Sequence, residues 1–254
     1  LGRWKPLALA LVGGVSLAGV VLPAAVVLVW WARGLAAGTQ TVSVWRPALH
    51  SFGTAAAAAT AAAALALPVA WWASRRSGPL PQTVERLCHA GYALPGIVIA
   101  LSFVFFASRY ATPLYQSVAL LVTAYVVRFL PESLAATRAA LAALGPRFEE
   151  AAASLGRRPS QVLTSVTLPL LSPGILAGAG LVFLTTMKEL PATLLLRPTG
   201  FDTLATRVWS SASEAIYSQA AVPALLLVAV SAPPVYWLII RPALAGSPRP
   251  GAAE

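Results

Sequence analysis

Few side chains in this sequence have chemistry to offer, and they form two groups. Lys188 and Glu189 stand side by side in an apolar run over 174–196. Ionisable groups in so apolar a stretch are costly and are expected to face a bundle interior or water. They serve a gate or solute path, or they form a structural pair. If the helix starts near Pro173, Lys188 is ~22 Å along it at ~1.5 Å per residue, where a Lys also snorkels to the interface. The second group is Glu149, Glu150 and Gly156. Pro146 suits the first helical position, the two Glu fall in the first turn where the helix dipole favours negative charge, and Gly156 is placed to stop the helix. The expected product is a helix ~15 Å long, too short to cross a bilayer and suited to lie across the mouth of a membrane bundle.

Enzyme chemistry finds no support. The sequence has no His-Glu metalloprotease pattern, no nucleophile elbow, no phosphate-cradling glycine loop and no paired carboxylates within its apolar segments. Cys88 is the single cysteine, so no internal disulfide forms, and His50 and His89 lack ligand-like companions. No metal or cofactor is expected in this chain. If ATP drives its work, another chain must bind it.

Composition explains the setting. With 254 residues, 58% hydrophobic and 10% charged, and a mean hydropathy of +0.75, the expected fold class is an all-α integral membrane protein. The net charge of +10 is scattered through short polar gaps rather than interleaved with stacking aromatics, which argues against nucleic acid. The run over 7–32 exceeds the ~7 to 15 residues of a signal-peptide core and is expected to be an anchor. A chain opening at Leu1 is expected to be a processed form or one part of a longer polypeptide.

Six segments approach the ~20 residues that cross a bilayer, near 7–32, 52–73, 92–108, 113–130, 174–196 and 219–240. Twelve basic residues fall in the gaps on the side of the termini (Arg3, Lys5, Arg75, Arg76, Arg86, Arg128, Arg138, Arg147, Arg157, Arg158, Arg241 and Arg249). Five fall on the other side (Arg33, Arg46, Arg109, Arg197 and Arg207). The positive-inside rule then places both termini and the Glu150 loop in the cytoplasm. Trp30, Trp31, Trp71, Trp72 and Trp237 suit the interfaces, and the alanine-rich run over 55–64 suits close helix packing. The stretch 74–90 reads as a plain connector, and Pro95-Gly96 is expected to kink the third span. Residues 133–144 are expected to form a short helix, joined at Gly145-Pro146 to the Glu150 helix, with Pro159 opening a third. The stretch Arg197-Pro198-Thr199-Gly200-Phe201-Asp202 is expected to be an external loop, either solvated or in contact with a solute-delivering protein.

The string Glu150-Ala151-Ala152, three residues, Gly156, nine residues, Val166, one residue, Leu168-Pro169 resembles the cytoplasmic EAA loop of ABC importer permeases, with Val166 in place of the usual Ile. The resemblance implies a type I importer permease of six transmembrane helices in a bacterial inner membrane. Its coupling helix would use Glu150, Ala151, Ala152, Gly156, Leu168 and Pro169 to dock on a cytoplasmic ATP-binding subunit. The implied partners are that subunit, an extracytoplasmic solute-binding protein, and a second permease half, fused or separate, or an identical copy. As one permease domain, the chain divides into a first span and external loop at 1–47, a core at 48–243 with coupling loop 131–173, and a cytoplasmic tail at 244–254.

Tyr125-Val126-Val127-Arg128-Phe129-Leu130-Pro131 and Met187-Lys188-Glu189-Leu190-Pro191-Ala192-Thr193-Leu194-Leu195-Leu196-Arg197-Pro198 resemble the ferric iron class of such permeases. In that class the permease is often a fusion of two halves, and this chain would match one half. Hard Fe³⁺ favours oxygen-rich ligands, yet the expected spans hold Glu189 as their single carboxylate, so a carrier protein would supply the tight chelation. Thiamine, polyamine or oxyanion import is the alternative within the same importer type. A self-sufficient channel or secondary transporter is the alternative class; it should show inverted repeats or several intramembrane charges, and neither is evident.

Overall fold

The computed structural model describes residues 2–38, 43–76 and 78–236. Trp237, Arg241, Arg249 and the tail 244–254 lie outside the described residues. Helices α1 (Lys5–Ala36), α2 (Trp45–Arg75), α3 (Pro79–Ala93), α4 (Gly96–Tyr110), α5 (Val118–Leu144) and α6 (Arg147–Ser154) follow one another. They are succeeded by α7 (Pro159–Val162), α8 (Leu168–Met187), α9 (Pro191–Leu196), α10 (Leu204–Ser213) and α11 (Tyr217–Val235). Among the described residues five helices are long and apolar enough to cross a membrane, and the bent α3–α4 pair makes a sixth if counted as one span.

The core is the α2–α5–α8 triple. Ala55, Ala58, Ala59, Ala62, Ala66 and Ala70 all point inward from α2, at the spacing that lines one helical face. Methyl-sized side chains let α5 and α8 approach closely, which is how helices associate without a hydrophobic drive from lipid. Gly174 and Gly178 do the same from α8: a Cβ on Gly174 would fall 2.3 Å from the Ala140 Cβ on α5. The expectation of a packing face over 55–64 holds. By contrast α1 is exposed along almost its whole length and leans on α11, with Trp30 and Tyr217 rings 5.1 Å apart.

Several boundaries differ from those expected of the sequence, for identifiable reasons. The stretch 74–90 is not a plain connector: most of it is α3, which packs on α5 so closely that a Cβ on Gly91 would sit 2.2 Å from the Val127 carbonyl oxygen. Pro95 does more than kink the third span. It separates α3 from α4 at a bend of 105°, because a residue before proline is pushed out of the helical region and Leu94 is extended there. The fourth span and the helix over 133–144 are one helix, α5, since Pro131 is accommodated inside it. Arg128 and Arg138 are therefore helix residues rather than gap residues. A continuous helical stretch over Pro159–Met187 passes through a π turn at Leu163–Thr167, so the polar connection narrows to 145–158.

Candidate functional site

At one end of the bundle lies the short helix α6. Pro146 precedes it as the N-cap, Glu149 and Glu150 occupy its first turn, and Ala152 is its buried residue. Its stop is a Schellman arrangement: Gly156 has φ +78°, its N–H donates to the Ala153 carbonyl at 2.9 Å, and the Arg157 N–H donates to Ala152 at 3.3 Å. Gly156 is thus needed for its left-handed backbone. The two glutamates divide the work. Glu149 receives Arg75 Nε at 2.9 Å and Nη2 at 3.1 Å, and Thr167 Oγ1 donates to it at 3.1 Å. It ties α6 to the end of α2 and to the π turn leading into α8. Glu150 is exposed and makes no side-chain bond to another described residue. With Trp71, Arg157, Val162 and Leu163 it lines a cavity of about 280 Å³. Beside it Phe148 and Leu155 are exposed, the latter by 82%, so the helix presents apolar groups on a polar surface. Ala151 and Pro169 are exposed as well, and Leu168 is half-buried at the start of α8.

The second cluster lies within the bundle. Lys188 and Glu189 are not inside a continuous fifth span. They fill the break between α8 and α9, because Pro191 restarts the helix and cannot continue the preceding one. Lys188 is exposed while Glu189 is buried, 7% exposed. Glu189 Oε1 accepts the Ala192 N–H at 3.2 Å, and Oε2 lies 3.5 Å from Arg128 Nε on α5. Thr193 Oγ1 donates to the Glu189 carbonyl at 2.5 Å and is bonded to the Tyr125 hydroxyl at 2.6 Å. Glu132, one turn beyond Arg128 on α5, accepts from Thr185 Oγ1 at 3.0 Å. Arg128, Glu132, Thr185, Lys188 and Glu189 line one cavity of about 510 Å³ together with Tyr92 and Leu94. The expectation that Glu189 is the single carboxylate in the spans is corrected: α5 carries Glu132. Among the described residues no three His, Cys, Asp or Glu side chains come together as a metal-holding group.

At the end of the bundle opposite α6, the 197–202 loop is anchored rather than free. Asp202 pairs with Arg197 and with Arg207, its carbonyl accepts His50 Nδ1–H at 2.9 Å, and the His50 ring stacks on Phe201 at 4.0 Å. Ser51 Oγ accepts the Leu204 N–H at 2.8 Å. Sequence reasoning missed the site roles of Arg75, Arg128 and Glu132, and the tie that Glu149 makes. Glu149 was visible as a first-turn carboxylate, but no pattern along the chain announced its partner 74 residues away.

Residues 62–239 match the family described as "Binding-protein-dependent transport system inner membrane component". The ferric iron transport permease FbpB 2 of Haemophilus influenzae is 42% identical over 173 residues, which are 68% of this chain and 34% of that protein. The chain thus spans about a third of that relative's length. The molybdenum transport permease ModB of Mycobacterium tuberculosis is 33% identical over 204 residues, covering 76% of each chain. In fold, the chain is similar to a bacterial alginate ABC transporter solved with a periplasmic protein, at a TM-score of 0.68 and 14% identity over 93% of this chain and 95% of that one. It is also similar to the MetNI methionine ABC transporter in an inward-facing form, at 0.62 and 17% identity over 80% and 95%. The architecture is therefore that of the type I importer permeases. On the strength of the family match over most of its length, this chain belongs to the binding-protein-dependent transport system inner membrane components.

Proposed function

We propose that this chain is the membrane-spanning part of an ATP-driven importer and that ferric iron is its solute. The observation that carries the reading is the build of α6. A self-stopped helix held by Glu149 to α2 and to the head of α8, with Glu150, Phe148 and Leu155 left outward, is a rigid handle attached to two core helices. A cytoplasmic ATP-binding subunit that grips Glu150 and the flanking Ala151, Ala152 and Gly156 moves both helices at once, and Leu168 and Pro169 at the start of α8 carry the movement inward. Lys188 and Glu189, at the helix break, belong to the gate or solute path. ATP is bound by the partner subunit, and no catalytic residue is assigned here.

The orientation follows from the basic asymmetry: α6 and both termini in the cytoplasm of a bacterial cell, with the 197–202 loop facing an extracytoplasmic binding protein. The core at 48–243 pairs with a second permease half, fused or separate, or with an identical copy. Thiol labelling of single introduced cysteines tests this; position 202 should react from outside and position 150 should not, and the reverse overturns it.

Iron is favoured by the 42% identity to the ferric permease of H. influenzae. Oxyanion import is the second reading, favoured by the relation to ModB over three quarters of both chains. Uptake of radiolabelled iron and molybdate into cells lacking, then regaining, the gene decides between them. Iron uptake that depends on the gene supports the assignment. Undiminished iron uptake in its absence, with molybdate uptake lost, replaces it by the second reading.

A further inference from the structure

Two helix breaks meet in this bundle, and a single arginine stands between them. The first break is the 105° corner between α3 and α4, the second the gap between α8 and α9. Gly96, the first residue of α4, lies against both side chains: a Cβ there would fall 1.9 Å from Arg128 Nη1 and 3.0 Å from Glu189 Oε1 and would displace the end of Arg128. The corner, the Glu189 break and α5 thus converge on Arg128.

Arg128 is incompletely held. Its Nε reaches Glu189 at 3.5 Å, too far for a strong hydrogen bond, and its buried Nη1 has no hydrogen-bond partner among the described residues. The side chain is 24% exposed and its guanidinium carbon lies 5.4 Å from the Phe129 ring centre, yet a buried Nη1 without a hydrogen-bond partner still calls for a physical reason. The reason at hand is Glu132, which lines the same cavity four residues along α5. Residues at that spacing lie one above the other on a helix face. Glu132 now accepts a bond from Thr185 and forms no ion pair within 4 Å among the described residues. Lys188 completes the set, so the cavity holds two basic and two acidic side chains. Moving Arg128 from Glu189 to Glu132 therefore keeps it paired within one cavity, which Lys188 also lines. This matters because separating a buried pair without a replacement partner is strongly unfavourable.

We propose that Arg128 is the positioning residue of the membrane gate: paired with Glu189 it clamps the two helix breaks together, and transferred to Glu132 it releases them. The inference rests on the importer reading and extends it, because Glu189 is tied to α9 through the Ala192 N–H and the Thr193–Tyr125 bond. Parting Arg128 from Glu189 leaves the Thr193–Tyr125 bond as the polar tie between α9 and α5 and lets the Arg128 side chain move away from Gly96 at the α3–α4 corner, so the two pairings give the gate two stable positions instead of a continuum.

The test uses the full-length permease assembled with its ATPase and binding protein in liposomes, with uptake of radiolabelled ferric iron and molybdate and ATP hydrolysis measured in parallel. Glu132→Gln keeps an oxygen for the Thr185 hydroxyl but removes the charge that receives Arg128. It should lower uptake about tenfold or more while the assembled amount is unchanged. Glu132→Asp should restore much of it. Glu189→Gln biases the exchange the other way and should raise ATP hydrolysis without binding protein about threefold. Uptake within about twofold of the parent in Glu132→Gln, or the same loss of uptake and hydrolysis in both Gln variants, overturns the exchange. If Glu132→Gln fails to assemble, the direction of the Glu189→Gln effect decides. A parent whose assembled ATPase hydrolyses no ATP removes the importer reading and this inference together, whereas an active parent with silent variants removes only the inference.

Discussion

The α6 end and the Arg128 cluster are both polar features of an apolar chain, yet they are built by opposite means. The α6 helix is assembled from neighbours in sequence: a Pro start, two first-turn glutamates and a Gly stop act within about ten residues. Its longest-range tie, Arg75 to Glu149, lies partly open to solvent. The Arg128 cluster draws residues from α3, α5, α8 and the α8–α9 break, and Glu189 within it is almost wholly buried. A local device at the surface tolerates the loss of one contact. An interior charge does not, because its partner is then left without water or counter-charge. The α6 end is thus suited to being gripped, and the cluster to being switched.

The sharpest test of that contrast is Glu189→Ala. It removes the partner that Arg128 now has, leaving Glu132 to take it up, and strips the start of α9 of its buried acceptor, which should cost ~2 kcal/mol. Thermal unfolding of the purified chain measures this, and an unchanged midpoint would place the cluster in water. Next comes Gly91→Ala, whose Cβ would fall 2.2 Å from the Val127 carbonyl oxygen. Pushing α3 off α5 should cost ~2 kcal/mol, visible as faster proteolysis within 79–93.

Effects at α6 should be smaller in stability and larger in function. For Gly156→Val nothing lies within 4 Å of the new Cβ, so the left-handed backbone at φ +78° is the sole source of strain; ~1 kcal/mol is expected. Membrane insertion should persist while uptake falls. Glu149→Gln, which weakens the partly exposed pair with Arg75, should also cost ~1 kcal/mol. Glu150→Lys is the smallest in stability, within ~0.5 kcal/mol, yet should reduce uptake about tenfold if that side chain is what the ATPase grips. Equal stability losses for the two glutamate variants would erase the division between them. Full uptake in both Gly156→Val and Glu150→Lys would remove α6 from the transport cycle.

These contrasts also mark what could be read along the chain. Helix content, the number of apolar segments, the alanine face of α2 and the caps of α6 follow from composition and from spacings of a few residues. The bend at Pro95 was legible as a weakness but not as a 105° corner, since its angle depends on how α3 and α4 pack against α5. Lys188 and Glu189 were legible as costly charges. Their break was misplaced inside a helix because an apolar run does not show where a helix stops.

By itself, then, the sequence determined an all-α membrane chain with a short capped helix in its polar connection, because hydropathy and capping act between near neighbours. Only the tertiary structure decided that Arg75 holds Glu149, that 74–90 is mostly helix, and that Arg128 pairs with Glu189 in a cavity Glu132 also lines. The physical reason is separation: Arg128 and Glu189 are 61 positions apart along the chain, and their meeting depends on glycine-sized gaps at Gly91, Gly96, Gly174 and Gly178. Those gaps set how closely the helices approach, and the approach selects which charges become partners.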